Sequence, residues 1–239
     1  MTLSVCTIAY DEEPFMSDWL RQFDGLVDKI YLGVDSRSTD RTEEIAHAAG
    51  AIIVPFEWAD SFAAARNTVL ERVRADWILV LDPDERLTRV GVDVIERLMG
   101  DETVSDLIDG FSPLFQEGDQ REYVSGRLIR NDPQLRYVGR VHEEVRYLPN
   151  PARTWFERMD GGPHIEHLVF GTLRARKDKD RRDLRLLRLR LLDDSHDAAA
   201  LFYLWQMTGD MQYAERALAC GERALHPDRR AQLEAALAA

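Results

Sequence analysis

The stretch WILVLDPDERL, residues 77–87, passes directly from five apolar residues to a turn that carries three acids. A short, continuous apolar run of this kind predicts a strand that is buried on both faces. Asp82 and Asp84 stand one residue apart and Glu85 follows directly, so like charges repel where each also loses hydration. The sequence therefore predicts a compensating positive charge at this turn.

Strands alternate with helices on the N-terminal side of this stretch. The predicted strands lie at 3–9, 29–34 and 51–55, and the predicted helices lie at 15–23, 41–49 and from Asp60 or Ser61 to Arg74. Such alternation predicts parallel pairing in a doubly wound α/β sheet. Ligands of these sheets bind outside the carboxyl ends of the strands, which is where the polar clusters of this sequence fall.

The later part of the chain has a different pattern. Segment 110–145 predicts short strands that extend the sheet in antiparallel fashion, and 150–162 predicts a loop. Helices are predicted at 173–192, with a leucine stripe, and at 198–207 and 211–225. The last two resemble one tetratricopeptide unit. We therefore expect one domain over residues 1–172 and a helical extension over 173–239, whose helices also offer a surface for homo-oligomer contacts.

Composition restricts the class of protein. With 239 residues, 45% of them hydrophobic, the chain can bury a sizeable core, and its net charge of -12 argues against non-specific nucleic-acid binding. Cys6 and Cys220 lie far apart and form neither a disulfide framework nor a metal cluster. The N-terminus does not resemble a signal peptide and no run is long enough to span a bilayer, so we expect a cytoplasmic protein.

A divalent cation is one source of the missing positive charge. Carboxylates one residue apart on a strand-exit turn, here Asp82 and Asp84 with Pro83 between them, can both reach one hard cation. Mg²⁺ or Mn²⁺ takes oxygen ligands and keeps positions open for substrate phosphates. An isolated D-x-D is a weak signal, and a solvated polar turn is the alternative interpretation.

The order of the motifs resembles that of the family 2 glycosyltransferases, which have the nucleotide-sugar-binding GT-A fold. The matching segments are SVCTIAYDEE (4–13), YLGVDSRSTDRTEEIA (31–46), FEWADSFAAARNTVLE (56–71), WILVLDPDERL, RLIRND (127–132), GRVHEEV (139–145), IEH (165–167) and KDKDRRDLRLL (177–187). The sequence is most similar to bacterial members with tetratricopeptide-like C-terminal helices. The resemblance implies a Rossmann-like, mixed but mainly parallel sheet flanked by helices, with a small C-terminal helical extension.

The resemblance also implies which residues bind the nucleoside. Tyr10, Glu12 and Asp35 should face the base and ribose, since an aromatic ring stacks on a base and carboxylates accept hydrogen bonds from hydroxyl and N–H groups. Asp40 is better explained as a turn cap. Arg37 occupies the position of the family's usual glycine, a departure that affects the base contacts.

Two further pairs of residues match family positions near the nucleotide. Arg66 and Asn67 match an Arg-Asn pair, with Arg66 holding either the sugar donor or the acidic turn. Lys179 and Arg182 match a Lys-x-x-Arg pattern that would reach the diphosphate, although interleaved acids on the same helix also fit a solvated face.

The metal ligands and the catalytic base follow from the same resemblance. Asp84 is the first metal ligand, Asp82 assists through the ribose or a bound water, and His167 reaches the metal or the diphosphate, with His164 as a weaker rival. A carboxylate must remove the acceptor's proton, and VHEE (141–144) supplies it. Glu143 is the predicted base. Glu144 is the alternative, because alternation along a strand sends the two in opposite directions, and Glu85 is a third candidate.

The predicted activity is a metal-dependent, inverting transfer from a nucleoside diphosphate sugar. A UDP-sugar is favoured and GDP- or dTDP-sugars are alternatives, while the acceptor can be a peptide, glycan, lipid or nucleobase. A sugar nucleotidyltransferase is the second hypothesis, but TIAYDEEP (7–14) lacks the Gly-rich, basic signature expected after the first strand. A non-catalytic interaction protein with this fold is the third, and the joint presence of the site residues argues against it.

Overall fold

The computed structural model describes residues 1–101, 103–104, 107–118, 121–168, 173–221 and 225–238. The strands are β1 Leu3–Ala9, β2 Lys29–Asp35, β3 Ile52–Phe56, β4 Trp77–Val80, β5 Glu85–Leu87, β6 Gly110–Ser112, β7 Leu114–Glu117, β8 Arg121–Val124, β9 Leu128–Arg130, β10 Leu135–Val138, β11 Glu144–Tyr147, β12 Phe156–Arg158 and β13 Ile165–His167. The α-helices are α1 Glu13–Arg21, α2 Thr42–Ala48, α3 Phe62–Leu70, α4 Arg89–Gly100, α5 Leu173–Asp193, α6 Ala198–Thr208, α7 Met211–Ala219 and α8 Pro227–Ala238. A short 3₁₀ helix covers Pro151–Arg153.

A mixed, mainly parallel sheet forms the centre of the first part of the chain. Its seven strands run in the order β12-β6-β9-β4-β1-β2-β3. The pairs β1–β2, β1–β4, β2–β3 and β6–β12 are parallel, whereas β9 is antiparallel to both β4 and β6. The predicted α/β class and sheet type are confirmed. Because β1, β2 and β4 are parallel neighbours, their carboxyl ends lie at one edge of the sheet.

Strand β4 shows why the stretch at 77–87 controls the fold. Trp77 and Leu79 join the core cluster that includes side chains of α1 and α4. Ile78 and Val80 join the cluster that includes side chains of α3. Alternate side chains of a strand point to opposite faces, so an unbroken apolar run suits a strand with helices on both sides.

The remaining strands of the described residues form two smaller sheets. Strands β10 and β11 form an antiparallel hairpin. The other sheet has the order β5-β13-β7-β8, in which β13 is antiparallel to β5 and parallel to β7. The pairing of β5 with β13 sets His167 opposite Glu85, next to the acidic turn.

The structure differs from the sequence prediction in several local respects. Segment 110–145 does not extend one sheet, because its strands are divided among all three sheets. The predicted loop at 150–162 contains edge strand β12, whose residues FER lack apolar alternation. Helix α8 was not predicted, and Leu192, the last residue of the helix predicted with a leucine stripe at 173–192, is exposed. No helix within the described ranges is long and apolar enough to cross a membrane.

The chain divides into two compact units. The first is Met1–Val138 with Glu143–Phe170, and the second is Gly139–His142 with Gly171–Ala239. Within the second unit, the Arg190 guanidinium donates to the carbonyl oxygen of Val141 at 2.7 Å, and the His142 ring stacks on Tyr203 with centroids 3.8 Å apart. Segment 139–142 therefore belongs to the second unit through these contacts, although it lies in the middle of the first predicted domain.

Candidate functional site

Arg66 neutralises the first acid of the turn that follows β4. Its side chain is buried in α3, and its two terminal nitrogens donate to the two carboxylate oxygens of Asp82 at 2.7 and 2.9 Å. Thr7 Oγ1 lies 3.3 Å from the same carboxylate and donates to it. A bidentate pair of this kind fixes both the charge and the orientation of the carboxylate.

Arg127 neutralises the third acid and is a site residue that the sequence analysis missed. It precedes β9, donates to Glu85 Oε1 at 2.9 Å, and also reaches Asp82 Oδ2 at 3.3 Å. The available signal was the motif RLIRND, which matched the family without a role being assigned to its first residue. The compensating charge predicted for Asp82 and Glu85 is therefore supplied within the protein by two arginines.

The three acids of this turn have different electrostatic environments. Burial alone would raise the pKa of Asp82, but the ion pairs with Arg66 and Arg127 outweigh it and hold that pKa well below its usual range. Burial raises the pKa of Glu85 to about 7 in spite of Arg127. The Glu85 carboxylate also accepts the backbone N–H of Asp82 at 2.7 Å, so it orients the turn.

The side chain of Asp84 lies beside that of His167. Its Oδ2 lies 3.2 Å from His167 Nε2, and the side chains of Asp84 and His167 are 41% and 24% exposed. The hydrogen bond with Asp84 raises the pKa of His167. His164, the rival histidine, is fully buried, and its Nδ1 accepts the backbone N–H of Leu114 while Nε2 lies 3.0 Å from the carbonyl oxygen of Asp160. Both ring nitrogens of His164 therefore contact the backbone and have a structural role.

The pair of Asp84 and His167 fits a divalent cation that has few protein ligands. In the part of the chain that the structure describes, no three His, Cys, Asp or Glu side chains come together to hold a metal. Mg²⁺ is commonly held by one or two carboxylates, with water and substrate phosphates as its other ligands, and imidazole is a further ligand for the softer divalent metals. Carboxylate oxygen and imidazole nitrogen meet this requirement, whereas Asp82 is occupied by Arg66 and Arg127.

The two candidate bases differ in their surroundings. Glu143, directly before β11, accepts a hydrogen bond from Nε of Arg66 at 2.7 Å and is largely buried. Glu144, the first residue of β11, forms an ion pair with Arg146 two residues along the strand. The structure thus brings Glu143 to the arginine that holds Asp82 and gives Glu144 a separate partner.

Asn67 holds the hairpin that carries Glu143. Its side-chain Nδ2 donates to the carbonyl oxygen of Tyr137, and its Oδ1 accepts the Tyr137 backbone N–H, both at 2.9 Å. These bonds fix β10 against α3, so the adjacent Arg66 meets the residue that precedes β11. The Arg-Asn pair therefore connects the acidic turn to the hairpin, and the Asn67 amide is committed to the backbone.

The residues predicted to contact the nucleoside lie at the ends of β1 and β2. Asp35 is 2% exposed, and Arg37 covers it with a salt bridge of 2.5 Å. Tyr10 is exposed beside Arg37. Glu12 is half-buried, and burial together with the nearby Asp84 raises its pKa to about 7.

Asp40 and Asp11 organise the loops at this edge of the sheet. Asp40 accepts the backbone N–H groups of Glu13 at 2.9 Å and Thr42 at 3.0 Å, the first helical residues of α1 and α2. Asp11, with φ of 53°, accepts the backbone N–H of Thr39 at 2.7 Å. Asp40 thus has the geometry of a capping residue at two helices.

Lys179 and Arg182 lie in the second unit, on α5. Lys179 is exposed, and the Arg182 guanidinium contacts the carboxylate of Asp183 at 2.8 Å. Their assignment to the diphosphate stays a prediction.

Sequence comparisons relate the chain to known proteins. The chain matches the family model described as Glycosyl transferase family 2 over residues 4–177. It is 30% identical over 238 residues to the TPR repeat-containing protein Synpcc7942_0270 of Synechococcus elongatus. That alignment covers 95% of this chain and 58% of the relative, so the chain spans little more than half of the relative's length.

Structural comparisons agree on the fold. TarS 1-349 of S. aureus in complex with UDP superposes with a TM-score of 0.58 at 11% identity, covering 100% of this chain and 87% of TarS 1-349. The mannosyltransferase PcManGT of Pyrobaculum calidifontis, in complex with GDP-Man and Mn²⁺, gives 0.52 at 13% identity, covering 99% of this chain and 79% of PcManGT. The predicted GT-A fold is confirmed.

Proposed function

Because the chain belongs to glycosyl transferase family 2, we propose that it moves a sugar from a nucleoside diphosphate sugar to an acceptor, with inversion at the anomeric carbon. The acceptor belongs to one of the classes considered above: peptide, glycan, lipid or nucleobase. The observation that carries the proposal is the solvent-accessible Asp84–His167 pair beside two acids that arginines already neutralise. This arrangement sets one carboxylate and one imidazole side by side and accessible to solvent, where both could meet a metal and the phosphates that it holds.

Asp84 and His167 would hold the divalent metal, Mn²⁺ or Mg²⁺. Two solved structures of this fold are described with UDP, or with GDP-Man and Mn²⁺, which supports a nucleotide and a metal as its ligands. When bound, the metal supplies positive charge for the departing diphosphate. The ion pairs of Asp82 with Arg66 and Arg127 hold the turn in place, with Asp84 beside His167. We assign Asp82 a supporting role through the ribose or a water.

Glu143 is the proposed base. Its carboxylate accepts a hydrogen bond from Nε of Arg66, and the other two nitrogens of Arg66 donate to Asp82. One guanidinium therefore fixes the distance between the proposed base and the acidic turn. The acceptor's nucleophilic atom would lose its proton to Glu143 as it attacks the face of the sugar opposite the diphosphate. Holding a base at a fixed position relative to the leaving group is the kind of positioning that accelerates such a displacement.

The remaining assignments concern the sugar donor. Tyr10, Glu12 and Asp35 would contact the base and ribose, and Lys179 with Arg182 is assigned to the diphosphate. The family resemblance favours uridine as the nucleoside. Arg37, whose salt bridge covers Asp35, changes the hydrogen-bonding groups that are available at that point.

A panel of nucleotide sugars tests the proposal. The chain is incubated with UDP-, GDP- and dTDP-sugars in the presence of Mn²⁺, and release of the nucleoside diphosphate is followed. We expect hydrolysis of at least one sugar donor and its loss on chelation of the metal. Synthesis of a nucleotide sugar from a nucleoside triphosphate and a sugar phosphate, without hydrolysis of any nucleotide sugar, would reject the proposal in favour of a nucleotidyltransferase.

A further inference from the structure

The Arg37 guanidinium forms a salt bridge with the carboxylate of Asp35, the last residue of β2. Its Nε lies 2.9 and 3.2 Å from the two oxygens of Asp35, Nη2 lies 2.5 Å from one of them, and the Arg37 backbone N–H donates at 3.0 Å. These hydrogen bonds lower the pKa of Asp35. The acceptor capacity of Asp35 is therefore largely used by a residue two positions away, and any ligand at this point meets a guanidinium.

Two aromatic rings flank this guanidinium. The Arg37 Cζ atom lies 5.3 Å from the centre of the Tyr10 ring and 5.6 Å from that of Trp58. Trp58 is fixed, because its indole N–H donates to Asp60 at 2.9 Å and its ring packs edge-on against Phe62. Tyr10 follows β1, Arg37 follows β2 and Trp58 follows β3, so three planar side chains meet at adjacent strand ends.

These planar groups are open to a ligand. The side chain of Arg37 is 55% exposed although its carboxylate partner is buried, and Tyr10 is 52% exposed. Aromatic rings and guanidinium planes are the surfaces on which proteins stack nucleobases. Ligands of open α/β sheets bind outside the carboxyl ends of the strands, which is where these side chains lie.

We propose that Arg37 reads the nucleobase of the sugar donor and selects guanine over uracil; this rests on the proposed function, in which the donor is a nucleoside diphosphate sugar. The pair with Asp35 uses Nε and one side of Nη2, and it leaves Nη1 and the second hydrogen of Nη2 outside the pair. The site thus presents two neighbouring hydrogen-bond donors to an incoming base.

The base edges distinguish the candidates. Guanine carries two adjacent acceptors, O6 and N7, which match the arginine fork, and this is the commonest specific contact between arginine and a base. Uracil has two acceptors, O2 and O4, but the N3–H donor lies between them, and that N–H would face the guanidinium. Without Arg37, the Asp35 carboxylate could accept a hydrogen bond from N3–H of uracil. In this chain both of its oxygens already accept hydrogen bonds from Arg37.

The test measures GDP and UDP affinity by calorimetry with Mn²⁺ for the unmodified chain, Arg37→Gly and Arg37→Lys. We expect the unmodified chain to bind GDP about tenfold or more tightly than UDP, the discrimination that one bidentate arginine–guanine pair supplies. Arg37→Gly should lose this preference, because the fork is gone and the freed Asp35 carboxylate can accept N3–H of uracil as well as N1–H of guanine. Arg37→Lys keeps a positive charge for buried Asp35 but has no fork, so it should fold normally and lose the preference.

Arg41→Ala is the matched control. Arg41 lies four positions further along, is exposed, and pairs with a carboxylate, Glu44, at 2.8 Å. Its removal should leave both affinities unchanged. Melting curves of all variants establish that each is folded before its affinities are compared.

Three results would overturn the inference. Equal affinity of the unmodified chain for GDP and UDP is one, and an unchanged GDP preference in both Arg37 variants is another. Tighter binding of CDP than of GDP is the third, because cytosine also has neighbouring acceptors, N3 and O2. In these cases the glycosyltransferase proposal stands, whereas failure of every nucleoside diphosphate to bind the unmodified chain would remove both proposals together.

Discussion

At the scale of single residues, Arg66 connects the two halves of the proposed chemistry. One guanidinium binds Asp82 through two nitrogens and Glu143 through the third. Arg66 is buried and the two carboxylates are largely buried, so each charge depends on the others, since an uncompensated charge in a protein interior is far less stable than in water. The position of the proposed base relative to the acidic turn is therefore set by a side chain that neither metal nor sugar needs to touch.

Substitution of Arg66 tests this arrangement through stability. Arg66→Met leaves Glu143 and part of Asp82 without a partner, and we expect the free energy of unfolding to fall by roughly 3–5 kcal/mol, as for other broken buried ion pairs. Arg66→Lys should lose less, because an ammonium keeps the charge but cannot contact both carboxylates through a fork. Urea denaturation at neutral pH measures the change.

Arg89→Met serves as the comparison for Arg66→Met. Arg89 forms an exposed ion pair with Asp93 on α4, and loss of such a pair costs about 0–1 kcal/mol. A fall for Arg66→Met no larger than that for Arg89→Met would show that the buried ion pairs do not hold this site together.

Glu143 and Glu144 are adjacent, so a matched pair of variants separates them. Glu143→Gln keeps the shape of the side chain and an oxygen that can accept from Arg66, but it cannot take up a proton. We expect sugar transfer to water to fall about 10²- to 10⁴-fold, the usual contribution of a general base, with affinity for the sugar donor preserved. Glu144→Gln should retain its rate, and full turnover by Glu143→Gln would move the base elsewhere.

At the scale of secondary-structure elements, the contact between α4 and β13 positions His167. Thr88 Oγ1 accepts the backbone N–H of Gly91 at 3.0 Å, and the Thr88 backbone N–H donates to the carbonyl oxygen of His164 at 2.9 Å. A Cβ atom on Gly91 would lie 2.2 Å from that same oxygen. The start of α4 thus lies against the backbone that leads into β13, three residues before His167.

The two glycines of α4 provide a direct test of this packing. Gly91→Ala should destabilise the protein by about 1–3 kcal/mol, the usual cost of overpacking, because the helix must move away from His164. Gly100→Ala meets no atom within 4 Å and should be neutral or stabilising by up to about 1 kcal/mol, as expected from helix propensity. Equal effects of the two substitutions in urea denaturation would contradict the close approach.

At the scale of elements, sequence patterns predict those strands and turns that are defined by local residues. Strands β1 to β4 and the acidic turn that contains Asp84 follow from apolar runs and from acids at strand ends, which are local signals. The division of segment 110–145 among three sheets is not a local property, because its short strands β7 and β9 are defined by pairing with β13 and β4, which lie far away in sequence. The role of Arg127 was missed for this reason, since its partners Asp82 and Glu85 lie more than forty positions earlier.

At the scale of the whole molecule, the acidic turn, Arg66, Glu143 and His167 all belong to the first compact unit. The assignment of Lys179 and Arg182, in the second unit, to the diphosphate stays a prediction. The second unit packs α5, α6, α7 and α8 in sequence, with α6 contacting both α5 and α7. The curated relative is longer, and this chain covers 58% of it. Metal-dependent binding of a nucleoside diphosphate is a property that the chain itself can be tested for.

The most direct measurement is calorimetric titration of GDP and UDP into the unmodified chain and Asp84→Asn, with Mn²⁺ and with chelator. We expect Mn²⁺ to strengthen binding of at least one nucleotide to the unmodified chain. Asp84→Asn should lose that gain by at least about tenfold, since even outer partners of a metal site are worth that much. Asp18→Asn, an exposed substitution on α1, should behave as the unmodified chain. Equal Mn²⁺-dependent affinity in Asp84→Asn and the unmodified chain would contradict the metal site.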